Sequence, residues 1–215
     1  MQVFDRGTVL ALKTGALLAA LLIGVLLAAW RWSIDYPHAE GAAATQPLPF
    51  SHQHHVRDDG IDCRYCHTSV EKSAFAGMPD SDTCMSCHSQ LFRDVPLFNA
   101  LHESVRTGER LQWTRLHDLP DFVYFDHSAH VSHGVGCREC HGRIDQMPMT
   151  VRTQSLQMQW CLECHRDPAP HLVSQNLIFD MQAQPPSQSR AQRALLAHYD
   201  VLNSRWLTDC STCHR

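Results

Sequence analysis

Residues 50–67 read FSHQHHVRDDGIDCRYCH, and residues 125–141 repeat the plan as FDHSAHVSHGVGCRECH. Each stretch opens on Phe-x-His-x-x-His and closes on Cys-x-x-Cys-His. From first histidine to first cysteine the offset is 11 residues in one copy and 10 in the other. A turn containing glycine leads into each cysteine pair, Gly60-Ile61-Asp62 and Gly134-Val135-Gly136. Matched offsets of this kind mark a structural repeat. The closing pentapeptide occurs five times in all: Cys63-x-x-Cys66-His67, Cys84-x-x-Cys87-His88, Cys137-x-x-Cys140-His141, Cys161-x-x-Cys164-His165 and Cys210-x-x-Cys213-His214. Together the copies use all ten cysteines of the 215-residue chain.

Cys-x-x-Cys-His is the attachment sequence of a c-type haem. Its two thiols add across the porphyrin vinyl groups, and the histidine becomes the proximal iron ligand. A zinc ribbon consumes cysteine pairs two at a time and has no need of a histidine after each pair. A disulfide between cysteines three residues apart closes almost no loop. The expectation is five covalently bound haem c groups, with His67, His88, His141, His165 and His214 as proximal ligands.

The chain holds 16 histidines, far above ordinary usage. Beyond the proximal set remain His38, His52, His54, His55, His102, His117, His127, His130, His133, His171 and His198. A six-coordinate haem needs a second axial ligand, and this surplus can supply one to each iron. Histidines at i and i+3 leave one helical turn from neighbouring positions, so they reach two haems lying on either side. His52, His55, His127 and His130 are therefore expected as distal ligands, with His54 and His133 as spare neighbours. His102 is expected to be solvated. His117 stands ten residues before His127, in the aromatic stretch 113–125, and is the candidate for the fifth iron. Met147, Met149, Met158 and His198 compete for that place, and a methionine there would raise the potential.

Residues 33–215 offer about 37 residues per haem, too few to wrap each in protein, so the porphyrins themselves must fill the interior. The fold expected is mostly irregular with short α-helices. Residues 50–90 form repeat one, 91–124 a connecting helix and loop, 125–166 repeat two, and 167–215 a linker and the fifth-haem segment. Asp94 through Gly108 reads as an amphipathic helix, with Asp94 as N-cap, Pro96 in its first turn and Gly108 as its end. A second short helix is expected over 190–202, after a Pro/Ser/Gln-rich excursion at 182–192.

Ahead of the haem domain, residues 9–30 carry one charge, Lys13, and approach the ~20 residues needed to cross a bilayer. Arg6 and Lys13 precede the apolar run and place the amino terminus in the cytoplasm, while Trp30 and Trp32 sit where the far interface would be. A cleaved signal peptide would have a shorter apolar region and a small-residue cleavage site, which Trp30-Arg31-Trp32 does not provide. Residues 1–32 are thus expected as a cytoplasmic tip and transmembrane anchor, and 33–49 as a linker. The haem domain then lies on the periplasmic face of a bacterial inner membrane. A formal net charge of −4 argues against nucleic acid as a partner.

The Phe-x-His-x-x-His-then-Cys-x-x-Cys-His arrangement resembles the cytochrome c3/c7 class, which implies duplicated haem pairs. In that class His52 and His127 would each serve the haem just downstream, and His55 and His130 another. Longer stretches are similar to the pentahaem cytochrome c subunit of alternative complex III. They are PFSHQHHV (49–56), GIDCRYCHTSVEKSAFAGMP (60–79), TCMSCHSQ (83–90), RLHDLPDFVYFDHSAHV (115–131), GVGCRECHGRIDQMP (134–148), MQWCLECHR (158–166) and TDCSTCHR (208–215). Residues 167–207 depart from the pattern. The resemblance implies an electron-carrying subunit and no catalytic residue. It implies an iron–sulfur subunit, multispanning membrane subunits and a monohaem cytochrome c as partners. Electrons from quinol oxidation would leave to a periplasmic cytochrome or a terminal oxidase.

Two other functions are weighed on the same residues. A membrane-anchored multihaem quinol dehydrogenase feeding a periplasmic reductase would share the single anchor but would itself oxidise quinol at a haem near the membrane. A catalytic multihaem reductase would need an open iron, often with an altered proximal ligand, and no variant motif occurs.

Overall fold

A computed structural model describes residues 5–35, 40–201 and 203–214. The chain divides into two units, Met1–Ala39 and Glu40–Arg215. The first is the helix α1, Arg6–Asp35. Asp5 caps it, accepting from the amides of Gly7 and Thr8 at 2.8 and 3.0 Å. Its span Arg6–Ser33 is long and apolar enough to cross a membrane.

The second unit carries nine short α-helices among its described residues, joined by 3-10 and π turns and irregular chain. In order they are α2 (Cys63–Cys66), α3 (Ser81–His88), α4 (Asn99–Thr107), α5 (His127–Ser132), α6 (Cys137–His141), α7 (Met158–Arg166), α8 (Ser189–His198), α9 (Ser204–Leu207) and α10 (Cys210–Cys213). No strand occurs among the described residues; two isolated bridges join Ala43 to Val151 and Val135 to Leu172. Each Cys-x-x-Cys pair lies on one of these helices, and His67 and His214 are the residues that cap α2 and α10. One helical turn brings positions i and i+3 to the same face, so the two thiols of a motif point to one side. Aspartates start several of these turns. Asp62, Asp80 and Asp209 accept from Arg64 N, Thr83 N and Ser211 N at 2.8, 2.8 and 2.9 Å, caps worth about 1 kcal/mol each.

The unequal offsets of the two repeats have a local solution. The first copy runs through a π-helix, Gln53–Asp58, where the second forms α5. A π-turn takes one residue more than an α-turn. The same bond then closes both loops: Ile61 N donates to His55 O, and Val135 N to His130 O, each at 3.0 Å. The extra residue is absorbed before the cysteines, so both motifs keep their register.

The repeats also grip one another reciprocally. Gln53 N donates to Met147 O at 3.1 Å, and the equivalent Ser128 N donates to Ser73 O at 3.2 Å. Each histidine pair therefore starts against the loop that follows the first motif of the other half. Val70, Val131, Val173 and Ile178 pack as a buried cluster at this junction, with Cys137 against it. Only ten apolar side chains are buried among the described residues, which is few for a unit of this length.

From Glu40 onward, the residues expected as a tether are bound to the second unit. Gly41 N donates to Arg152 O at 2.8 Å, Gln46 Nε2 donates to Thr114 O at 3.0 Å, and Thr114 N returns a bond to Gln46 Oε1 at 2.9 Å. Residues 36–39 of the expected linker, His38 among them, lie outside the described residues. The connecting helix begins later than its sequence pattern places it. Val95 is extended (ψ 127°) because Pro96 follows, so Asp94 is not its cap and α4 starts after a 3-10 turn, Pro96–Phe98. Gly108 ends it in the left-handed region (φ 74°). Residues 167–181 are packed chain, burying Leu172, Val173, Ile178 and Met181. Tyr199 donates to Val173 O at 2.8 Å and clamps that chain from behind.

Gly134 sits under this tyrosine with φ 80°, and a Cβ there would fall 2.2 Å from the ring. Gly134→Ala should lower stability by roughly 2–3 kcal/mol through clash plus backbone strain. Gly60→Ala, with φ 72° but open space, should lose only about 1 kcal/mol. Thermal unfolding of the two variants checks the order.

Candidate functional site

Each repeat fixes its histidine pair with one phenylalanine. The Phe50 ring meets His52 edge-on (4.9 Å, 86°) and stacks on His55 (4.5 Å, 22°). Phe125 meets His127 edge-on (4.7 Å, 89°) and stacks on His130 (4.5 Å, 24°). The two copies thus aim their imidazoles with the same relative geometry, although one turn is π and the other α.

The Nδ1 atoms are then taken up by acceptors. His55 donates to Ser51 O at 2.9 Å, His130 to Asp126 O at 2.6 Å and His127 to Ala74 O at 2.9 Å. Among the motif histidines, His67 donates to Gly77 O at 2.7 Å, His88 to Leu91 O at 3.2 Å, His165 to Leu207 O at 2.8 Å and His214 to Phe122 O at 3.1 Å. His52 Nδ1 pairs with the Thr150 hydroxyl at 2.9 Å. A carbonyl can only accept, so Nδ1 carries the proton and Nε2 presents a lone pair, the arrangement of a metal-bound imidazole. His102 is the reverse case. Its Nε2 donates to Arg93 O at 2.9 Å, which leaves the wrong nitrogen free for a ligand on that side.

Three motif histidines each face a histidine of a Phe-x-His-x-x-His segment. Two imidazoles that share one metal, about 2 Å from each nitrogen, have ring centroids about 6.3 Å apart. His55 and His88 are 6.2 Å apart, His130 and His165 6.1 Å, and His127 and His141 6.4 Å. Burial, with the neighbouring His67 imidazole, pushes His52 down to about 4. Burial likewise takes His141 to about 3, with His117, His127, His67 and His52 around it. His52 and His141 are therefore neutral at neutral pH, as iron ligation requires.

The sulfurs point the same way. Burial pushes the Cys137 and Cys140 thiols up to about 12, so the thiolates that zinc demands are disfavoured there, whereas a thioether needs no ionisation. None of the ten cysteines is in a disulfide, and among the described residues no three His, Cys, Asp or Glu side chains form a metal-ion cage. Paired cysteines, Nε2 lone pairs and facing imidazoles fit haem c.

His117 lies elsewhere than its expected place on the fifth iron. Its ring is 4.3 Å from His141, whereas the ring beside His214 is Phe122, at 5.9 Å. The cause is local: Thr114 is tied to Thr45 and Gln46, which holds this segment on the side of the Ala43–Val151 bridge. Met158 stands exposed at the start of α7, and His198 packs on Tyr199 at 4.8 Å. His54 faces Asp59, His133 donates to Ala129 O, and His171 donates to the Glu139 carboxylate. The acceptors Ala74 O, Gly77 O and Thr150, and the buried Arg152, escaped sequence reasoning. Backbone carbonyls carry no residue signature, and Arg152 stands alone in its stretch.

Fold and site together fit a c-type cytochrome carrying more than one haem. No family model matches the chain. Its sequence is similar to the multihaem cytochrome c subunit of the menaquinone reductase of Nitratidesulfovibrio vulgaris, 29% identical over 201 residues, covering 90% of this chain and 87% of that protein. The likeness supports covalently bound c-type haem and an electron-carrying subunit of a quinone-linked membrane complex.

Thr150→Val removes the hydrogen bond at His52 Nδ1 and nothing else of size. With His52 as an iron ligand, loss of this bond makes the imidazole less rich in electrons and disfavours the oxidised iron, so one haem potential should rise while the rest hold. Potentiometric titration followed in the visible spectrum checks it.

Proposed function

We propose that the chain is a pentahaem relay subunit of a membrane quinone oxidoreductase. The observation that carries this reading is the set of imidazole pairs at 6.1–6.4 Å, each joining a motif histidine to one from a Phe-x-His-x-x-His segment. In this reading His52 serves the iron of His67, His55 that of His88, His127 that of His141 and His130 that of His165. The cysteine pairs 63/66, 84/87, 137/140, 161/164 and 210/213 hold the porphyrins. His214 is the proximal ligand of the fifth, and His117 is reassigned from that iron to the surroundings of His141. The haems would supply one-electron chemistry; the cysteine pairs would hold them, and the carbonyls that take up Nδ1 would leave Nε2 for iron.

α1 anchors the subunit with its amino terminus in the cytoplasm, since Arg6 and Lys13 precede the span, and the haems lie on the periplasmic side. Its partners are an iron–sulfur subunit, multispanning membrane subunits and a monohaem cytochrome c, with a terminal oxidase as a further acceptor. Electrons from quinol oxidation enter through the partners and leave by the haems, as in alternative complex III. One observation favours the opposite direction. The similar protein is the subunit of a menaquinone reductase, which delivers electrons to quinone.

Pyridine haemochrome and intact mass should give five haems per chain; four or fewer overturns the count. His130→Ala should leave one iron in five high-spin and able to bind carbon monoxide, with the other four unchanged. With the intact complex in liposomes, rapid haem reduction by a menaquinol analogue supports the first direction. Reduction only by a low-potential periplasmic donor, followed by quinol formation, supports the second.

A further inference from the structure

Three buried polar atoms have no hydrogen-bond partner among the described residues: His117 Nε2, Arg152 Nε and Thr153 Oγ1. They gather around one place. The His117 ring is 4.3 Å from His141, and Arg152 is the positive charge that faces His117. Thr153 Oγ1 stands 2.7 Å from where a Cβ on Gly142 would be, and Gly142 is the residue after His141.

Arg152 is the unusual member. It is 5% exposed, its Nε has no hydrogen-bond partner, and no ion pair joins it to a carboxylate among the described residues. A buried guanidinium without a counter-charge is strongly unfavourable, and it is tolerated where an anion completes it. The residue is not there by slack, since its carbonyl accepts from Gly41 N at 2.8 Å and its neighbour Val151 bridges Ala43. Haem c brings two carboxylates, its propionates, and a guanidinium fork matches a carboxylate with two parallel bonds.

We propose that Arg152 is the buried counter-charge of a propionate on the haem attached at Cys137 and Cys140, with Thr153 Oγ1 and His117 Nε2 as donors beside it. The proposal rests on the haem reading of that motif. It makes Arg152 a tuning residue. A fixed positive charge in a dry site favours the reduced form and holds that haem at a higher potential than its ligands alone would set. It also gives His117 a place without an iron.

The test uses the full chain in its complex, in detergent. Mass spectrometry of the peptide with residues 137–141 first establishes that it carries haem; a bare peptide sinks the haem reading itself. Potentiometric titration of Arg152→Gln should then show one haem shifted to lower potential, with haem content and low-spin spectra unchanged. Arg152→Lys, which keeps the charge, should shift the same haem less. Unchanged potentials in both variants overturn the proposal. Should the glutamine variant lose haem, redox-difference infrared spectra of wild type fed 15N-guanidinium arginine decide. An isotope-sensitive arginine band must follow reduction of one haem, and its absence overturns the proposal. His117→Gln should keep every haem low-spin; a new high-spin iron makes His117 a ligand and removes it from the site.

Discussion

Imidazole has two nitrogens, and the protein commits one of them before any iron is considered. Carbonyls of Ser51, Gly77, Ala74, Leu91, Asp126, Leu207 and Phe122 each accept a hydrogen bond from a histidine Nδ1. Turns and loops of the second unit supply those acceptors. Ser51 and Asp126 do so from within their own turns, four residues back. Gly77, Leu91 and Ala74 require the loops behind the first two motifs to return over the histidines. That is why so much of the chain is irregular. Helices longer than one or two turns would spend their carbonyls on their own amides and leave none to orient a ligand.

The same bonds tie the halves together. His127 leans on Ala74 from repeat one, and His52 on Thr150 from repeat two. Neither half can seat its leading histidine without the other. The backbone pairs Gln53–Met147 and Ser128–Ser73 repeat this exchange in the main chain. With c-type haems attached, these reciprocal contacts would clamp covalent cofactors, much as disulfides hold small secreted domains.

Much of this was legible in the sequence. The five motifs, the two histidine pairs and the apolar helix were visible because each has a fixed spacing set by covalent chemistry, helical period or bilayer thickness. Gly108 as a helix end was visible for the same reason, since only a left-handed residue closes that turn. Other features had no local signature. The π-turn that absorbs the extra residue of repeat one depends on where its loop must close. The bonds from Glu40 onward depend on Thr114 and Arg152, which are distant in sequence. His117 stands beside His141, and its neighbours along the chain say nothing of the Thr45–Thr114 contact that holds its segment. Arg152 carries a role only through its burial, and burial of a lone arginine cannot be read from an irregular segment.

The central claim is that imidazole pairs face each other across the irons. Near-infrared magnetic circular dichroism of the oxidised full chain reads axial ligands directly. The account predicts bis-histidine charge-transfer bands for at least four haems per chain. Histidine–methionine bands, or high-spin signals, from two or more haems would contradict it.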